Sequence, residues 1–271
     1  MNQLIPEQRR AFIYDLIQRR GSVSIQELTD LNGASISTVR RDLDELARRG
    51  VIERTHGGAI LALAQRTTFE PGYKIASQMF TEEKAAIGRA CVDLLQPGQS
   101  VIFDSSSTVY QAACSVIDRH CTILALTNDV NIAVAMANSS TIELKVLGGS
   151  LRPDSYTLLG EPGLNFLGRL HVDVCLLGIQ AIGIHQGGQT GETAIHGTLS
   201  DTSLEVAAMK RAMIQAARKT VVLADSNKFG APAFSDVSDF SAVDVLITDA
   251  GIKPEQKSAM EAAGVQVIVA S

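Results

Sequence analysis

The chain carries no tryptophan and only 4% aromatic residues, so the 45% hydrophobic share that fills its core is mostly aliphatic. No apolar run reaches the ~20 residues that a membrane helix needs, and no hydrophobic leader opens the chain. A cytoplasmic protein with no membrane partner is therefore expected. Cysteines are few and scattered (Cys91, Cys114, Cys121, Cys175), and no Cys-x-x-Cys pair occurs. That spacing favours buried thiols over disulfides or zinc ligands. Gly-x-x-x-x-Gly-Lys-Ser/Thr and Gly-x-Gly-x-x-Gly loops are missing, as are Gly-x-Ser-x-Gly and His-Glu-x-x-His. The usual nucleotide, serine-hydrolase and zinc-protease readings lose their motifs, and neither cofactor nor metal site is expected.

Surplus positive charge is also missing overall, at a net −5 over 271 residues, which argues against a surface that binds nucleic acid indiscriminately. The charge is uneven, however. Residues 1–60 hold nine arginines, no lysine and eight acidic residues, while the remainder holds 15 basic against 21 acidic residues. Arginine suits forked contacts to phosphates and base edges. A locally basic head on a mildly acidic body fits DNA binding by the head.

Residues 35–49 read as one helix. Ile36, Val39, Leu43 and Leu46 recur at helical spacing as an apolar stripe. Ser35 is placed to cap the N-terminus, and Gly50 stops the helix. The polar face carries Ser37, Thr38, Arg40 and Arg41, hydroxyls and guanidiniums suited to phosphates and guanine edges. The alternative for this helix alone is a solvated amphipathic helix. Its neighbours decide otherwise. Residues 6–20 form a first helix with Phe12, Ile13, Leu16 and Ile17 inward. Ser24 caps a short second helix, with Glu27 as its capping-box partner. Asn32-Gly33-Ala34 is a tight turn. Helix, turn and helix place the second of the pair in a major groove. Short strands over 51–54 and 59–61 flank Thr55-His56-Gly57-Gly58 as a hairpin, a wing whose Arg54 and His56 would lie against the DNA.

These residues resemble the DeoR family of bacterial transcriptional regulators. The family's helix signature is met by Arg9, Ile13, Ile17, Ser35, Thr38, Val39, Arg40, Arg41, Asp42 and Leu43. Its wing phrase is met by residues 54–59. The resemblance implies a winged helix-turn-helix that binds double-stranded operator DNA.

Residues 62–80 read as a linker between a head (1–61) and a body (81–271). In the body, apolar runs over 100–104, 122–126, 142–147, 173–178, 220–224, 243–248 and 265–269 alternate with amphipathic stretches, which argues a mainly parallel sheet with helices on both faces. Ligands bind such sheets outside the strands' carboxyl ends. There stand Asp104, Ser105, Ser106, Ser107 and Thr108, opening a helix as an anion site would. Thr127 and Asn128 follow the second strand, Gly148, Gly149 and Arg152 the third. Asp225 and Lys228 follow the fifth. Lysine and hydroxyls favour a phosphorylated ligand, while aspartate and asparagine favour a polyol. Taken singly, each cluster also reads as helix capping or a surface turn. Their convergence on one edge favours a pocket.

The DeoR resemblance continues here through Asp104, Ser105 and Thr108, then Thr127-Asn128, Gly148-Gly149, residues 224–230 and 246–249. Ser106 stands where the family usually carries glycine. The resemblance implies a body similar to ribose-5-phosphate isomerase, used as a sensor of a phosphorylated sugar, with Lys210 among the effector-binding residues, in a homo-oligomer (dimer or tetramer). Residues 183–197, with His185, Glu192 and His196, read as a long loop, either one that shapes ligand choice or a mobile surface loop, the second being favoured. The rival reading is an aldose–ketose isomerase with Asp104, Glu192 or Asp225 as base and Lys228 or Lys210 as electrostatic helper. The DNA-binding head argues against it, and no catalytic residue is assigned. A DNA-binding protein whose body only dimerises is a third reading, disfavoured by the polar strand ends.

Overall fold

The computed structural model describes residues 5–61, 67–68, 70, 72–186 and 195–271. By its internal contacts the chain divides into two compact units, Met1–Thr81 and Glu82–Ser271.

The head runs α1 (Pro6–Arg20), β1 (Ser22–Ser24), α2 (Ile25–Asn32), α3 (Ile36–Arg48), β2 (Ile52–Arg54), β3 (Gly58–Leu61) and α4 (Tyr73–Ala76). Gly21 and Gly33 close α1 and α2 in the left-handed conformation. Ile13, Ile17, Leu28, Val39, Leu43 and Leu46 are fully buried together. Ser24 accepts a hydrogen bond from the Glu27 N–H at 3.1 Å, as a cap should, but the Glu27 carboxylate turns to Arg20 rather than completing a capping box. The wing gains a third strand that the sequence did not show. β3 pairs with β2 on one side and β1 on the other, both antiparallel. Gly58 is required there, because a Cβ at that position would lie 1.9 Å from the Val23 carbonyl oxygen of β1. Within the stretch read as a linker, α4 contacts α1, and Met79 and Phe80 are buried with the head's core.

The apolar stripe of α3 needs one correction. Val39, Leu43 and Leu46 are buried, whereas Ile36 is 46% exposed. At about 100° per residue Ile36 sits at the stripe's edge, in the first turn, outside the head's buried cluster.

The body runs α5 (Thr81–Val92), β4 (Ser100–Phe103), α6 (Ser107–Asp118), β5 (Ile123–Thr127), α7 (Val130–Met136), β6 (Ile142–Val146), β7 (Ser150–Leu151), β8 (Leu158–Leu159), α8 (Glu161–Leu167), β9 (Val172–Leu177), β10 (Ala181–Gln186), β11 (Ile195–Asp201), α9 (Leu204–Ala216), β12 (Ala217–Leu223), β13 (Ser235–Asp239), β14 (Val245–Asp249), α10 (Pro254–Ala262) and β15 (Gln266–Ala270). Seven strands form one parallel sheet in the order β15-β14-β12-β9-β4-β5-β6. All seven are the apolar runs read from the sequence. Side chains alternate between its two faces. Val101, Phe103, Leu176 and Val221 pack under α5, α6 and α7. Ile102, Cys175, Leu177 and Val222 pack under Leu167 of α8, Met209 and Met213 of α9 and Met260 of α10.

The stretch 183–197, read as a loop, has strands at its two ends instead. Its described residues belong to β10 and β11, an antiparallel pair extended by β13 into a second, three-stranded sheet. Its glycines serve close packing: a Cβ at Gly197 would fall 1.9 Å from the Phe240 ring. Glu192 and the rest of 187–194 lie outside the described residues. From β4 the chain steps outward to β5 and β6, then returns to β9 on β4's other side and proceeds through β12 to β15. The strand order therefore reverses between β4 and β9, where open parallel sheets gather their ligands.

Candidate functional site

On the head, Ser35 accepts a hydrogen bond from the Thr38 N–H at 3.2 Å, and its hydroxyl lies 2.9 Å from those of Ser37 and Thr38. The first turn of α3 thus presents clustered hydroxyls beside free N–H groups. Most of the head's arginines are committed to carboxylates. Arg9 and Arg10 hold Asp42, Arg20 holds Glu27, and Arg48 and Arg49 hold Glu45, drawing its carboxyl down to about 2. Arg54, read as a wing contact, binds Asp44 and the Arg40 carbonyl oxygen (3.2 Å). The side chains of Arg40 and Arg41 are exposed and have no hydrogen bond or ion pair among the described residues. Two unpaired guanidiniums one turn beyond the hydroxyls, with exposed His56 at the tip of the β2–β3 turn, form a face suited to a polyanion.

In the body, the residues read at the strand ends come together, in differing roles. Asp104 is buried, and its Oδ2 accepts from the Lys210 ammonium and from the Gly178 N–H (3.0 Å). Lys210 also donates to the Gly178 carbonyl oxygen (2.8 Å) and lies 3.6 Å from Asp201 Oδ2. One ammonium on α9 therefore joins the ends of β4, β9 and β11. Burial holds the Asp104 carboxyl above its ordinary range, against the pull of Lys210. Ser106 caps α6 through the Val109 N–H (3.1 Å), and Ser107 and Thr108 occupy that helix's first turn. Gly178 passes so close that a Cβ there would meet Ser106 at 2.4 Å.

Ser105 bonds Asp129 (2.6 Å) and Thr157 (2.7 Å). Asp129 caps α7 through the N–H groups of Asn131 and Ile132. Thr127 donates to the Phe103 carbonyl oxygen (2.7 Å) and accepts from the Asp129 N–H (3.0 Å), which ties β5 to β4. Gly148 packs near Pro162, and Gly149 against the Leu159 backbone, where a Cβ would come to 2.4 Å. Arg152 is half-buried beside the β7–β8 turn, its N–H bonded to the Thr157 carbonyl. Asp225 caps the short turn over Ser226–Lys228 through Oδ1, and the Lys228 ammonium donates to Gln180 Oε1 at 3.2 Å.

Three buried polar atoms along this edge have no partner among the described residues: Asn128 Oδ1, Asp225 Oδ2 and Thr248 Oγ1. They lie at the carboxyl ends of β5, β12 and β14. Three further residues, Asp129, Gln180 and Asp201, belong to this edge without having been picked out from the sequence, and Asp249 joins them from the 246–249 stretch of the family resemblance. Asp249 accepts from the Ser226 N–H and hydroxyl and from the Gly251 N–H. The signal for Asp129 was available, since it directly follows a polar residue closing an apolar run. Gln180 had no such signal.

Comparison with known proteins is consistent with this two-part layout. Residues 9–65 match the DeoR-like helix-turn-helix domain, and residues 79–250 match the DeoR C terminal sensor domain. Relatives include the HTH-type transcriptional regulator GlpR of Haloferax volcanii, 32% identical over 98% of this chain and 98% of its own. The glycerol-3-phosphate regulon repressor of Escherichia coli is 32% identical over 90% of each chain. The HTH-type transcriptional repressor GlcR of Bacillus subtilis is 32% identical over 90% of this chain and 88% of its own. Among solved structures, ribose 5-phosphate isomerase A of Methanocaldococcus jannaschii overlaps 55% of each chain at a TM-score of 0.37 and 14% identity. Among the described residues no helix is long and apolar enough to cross a membrane.

Proposed function

This chain belongs to the DeoR family of transcriptional regulators, and on that premise we propose that it is a repressor whose head holds duplex operator DNA until a phosphorylated sugar binds the body. The observation that carries the sensing half is the set of three buried, unpartnered atoms, Asn128 Oδ1, Asp225 Oδ2 and Thr248 Oγ1. A buried polar atom without a partner costs about 1–3 kcal/mol, and native proteins keep few of them. Two of the three are pure acceptors and the third is a hydroxyl, so the partner they call for brings several donors, as a polyol does. Lys228 and the Ser106–Thr108 opening of α6 supply the cationic and N–H-rich counterpart for a phosphate. A relative named for the glycerol-3-phosphate regulon is in keeping with a phosphorylated polyol. Asp104 and Lys210, in contrast, support the site from below, because each is already bonded within the fold. That pairing occupies one base and one helper of the isomerase alternative, which is left with Asp225 and Lys228 among the described residues. A dimer or tetramer would let ligand binding reset the spacing of two heads, which requires the ligand to favour one arrangement over the other.

The test joins both halves. Duplexes selected by the protein from a random-sequence pool serve as operator, and a thermal-shift screen of sugar phosphates supplies the ligand. Arg40→Ala should weaken binding to the selected duplex by about 1–3 kcal/mol and lessen its salt dependence. Lys228→Ala should bind that duplex normally but stay bound at ligand concentrations that release the parent. Its ligand affinity should fall about tenfold to a hundredfold, the loss of one charge-assisted hydrogen bond of about 1.5–3 kcal/mol. An unchanged release midpoint would remove Lys228 from the pocket. Steady turnover of any pentose or hexose phosphate would sink the sensor reading.

A further inference from the structure

We infer that Ile36 reads a thymine methyl group in the major groove and so fixes one position of the operator. The inference rests on the reading of the head as a DNA-binding unit and adds to it a base and a place.

Ile36 is the first residue of α3, and it stands between two exposed hydroxyl residues, Ser35 and Ser37. It is 46% exposed and takes no part in the head's buried cluster. Four residues on, and so on the same face, stands Arg40, whose guanidinium is unpaired among the described residues. A β-branched aliphatic residue in this place serves neither the core nor solubility. A recognition helix meets base edges with its N-terminal residues. The apolar feature a major groove offers there is the C5-methyl of thymine. Ile36 and Arg40 are about 6 Å apart along the helix axis, and base pairs stack about 3.4 Å apart. The thymine should therefore lie within about two base-pair steps of the guanine that Arg40 contacts.

Uracil differs from thymine by that methyl alone, so the test is a thymine-to-uracil scan of a duplex selected from a random pool by the full-length protein. In parallel, 7-deazaguanine substitutions whose effect vanishes in Arg40→Ala locate the Arg40 guanine. One uracil substitution within two steps of that guanine should weaken the parent protein about fourfold, the worth of one buried methyl group. Ile36→Ala, which removes a half-exposed side chain outside the head's buried cluster, should keep its fold by circular dichroism and bind the thymine and uracil duplexes equally. If every uracil duplex binds the parent as tightly as thymine does, or if Ile36→Ala still prefers thymine, the inference is wrong while DNA recognition by the head stands. If the protein selects no sequence at all, both fall together.

Discussion

Replacing Lys210 with methionine should destabilise the body by about 3–5 kcal/mol, because it leaves charge buried without its partner. The ammonium is buried, bonds Asp104 Oδ2 and the Gly178 carbonyl oxygen, and lies 3.6 Å from Asp201 Oδ2. Methionine matches the lysine stem in length and leaves little cavity, so the loss comes from the two carboxylates that remain. Denaturant unfolding followed by circular dichroism reads it as a lowered midpoint of the body's transition. Adding Asp104→Asn should recover part of the loss, since the double variant no longer buries that carboxylate uncompensated. The pH dependence has a definite sign. Burial raises the folded-state pKa of Asp104, so its protonated form favours the fold. Removing Lys210 strengthens this, and the penalty of Lys210→Met should shrink as pH falls and grow as pH rises through that raised value. A loss under about 1 kcal/mol, independent of pH, would mean that the ammonium is not structural.

The same pair shows where sequence reading stops. The seven parallel strands were legible because strands buried on both faces are written as continuous apolar runs, such as Val101-Ile102-Phe103. The second sheet was not legible. In β13, Ser235-Asp236-Val237-Ser238-Asp239 offers one large apolar residue, and the glycines of β10 and β11 look like loop residues until Phe240 is seen against Gly197. The polar strand ends could be named as a group, because their position follows from the strand pattern. Which of their atoms remain free could not be read. Asp104 and Lys210 are 106 residues apart, and only the fold brings them together. Thr127 looks like a ligand contact in the sequence, yet both functions of its hydroxyl are taken by β4 and Asp129. On the head, nine arginines are alike in sequence, and among those whose side chains are described the neighbouring carboxylates separate Arg40 and Arg41 from those that bind the fold together.

Asp42→Ala should be the most damaging single change to the head, at about 3–5 kcal/mol. Asp42 lies on the recognition helix, but it is buried and faces α1. It accepts from Arg9 Nε at 2.5 Å and from Arg10 Nη1 at 3.3 Å. Arg10 keeps Glu7 at 2.6 Å when Asp42 is lost. Arg9, whose side chain is only 10% exposed, loses its contact with Asp42 beneath α3. The unfolding midpoint of the head should drop, with the body's transition unmoved. Asp42→Asn, which keeps an acceptor of the same shape without its charge, should fall between parent and alanine variant. Operator affinity separates this role from a direct one. Asp42 is buried against Arg9 and Arg10, so under conditions where the head of Asp42→Ala is still folded its affinity should approach the parent's, and it should fall only in step with the unfolded fraction. A variant that keeps the parent's stability but loses its operator would place Asp42 in the readout of DNA, and the buried Arg9–Asp42–Arg10 contact would then have to open in the complex.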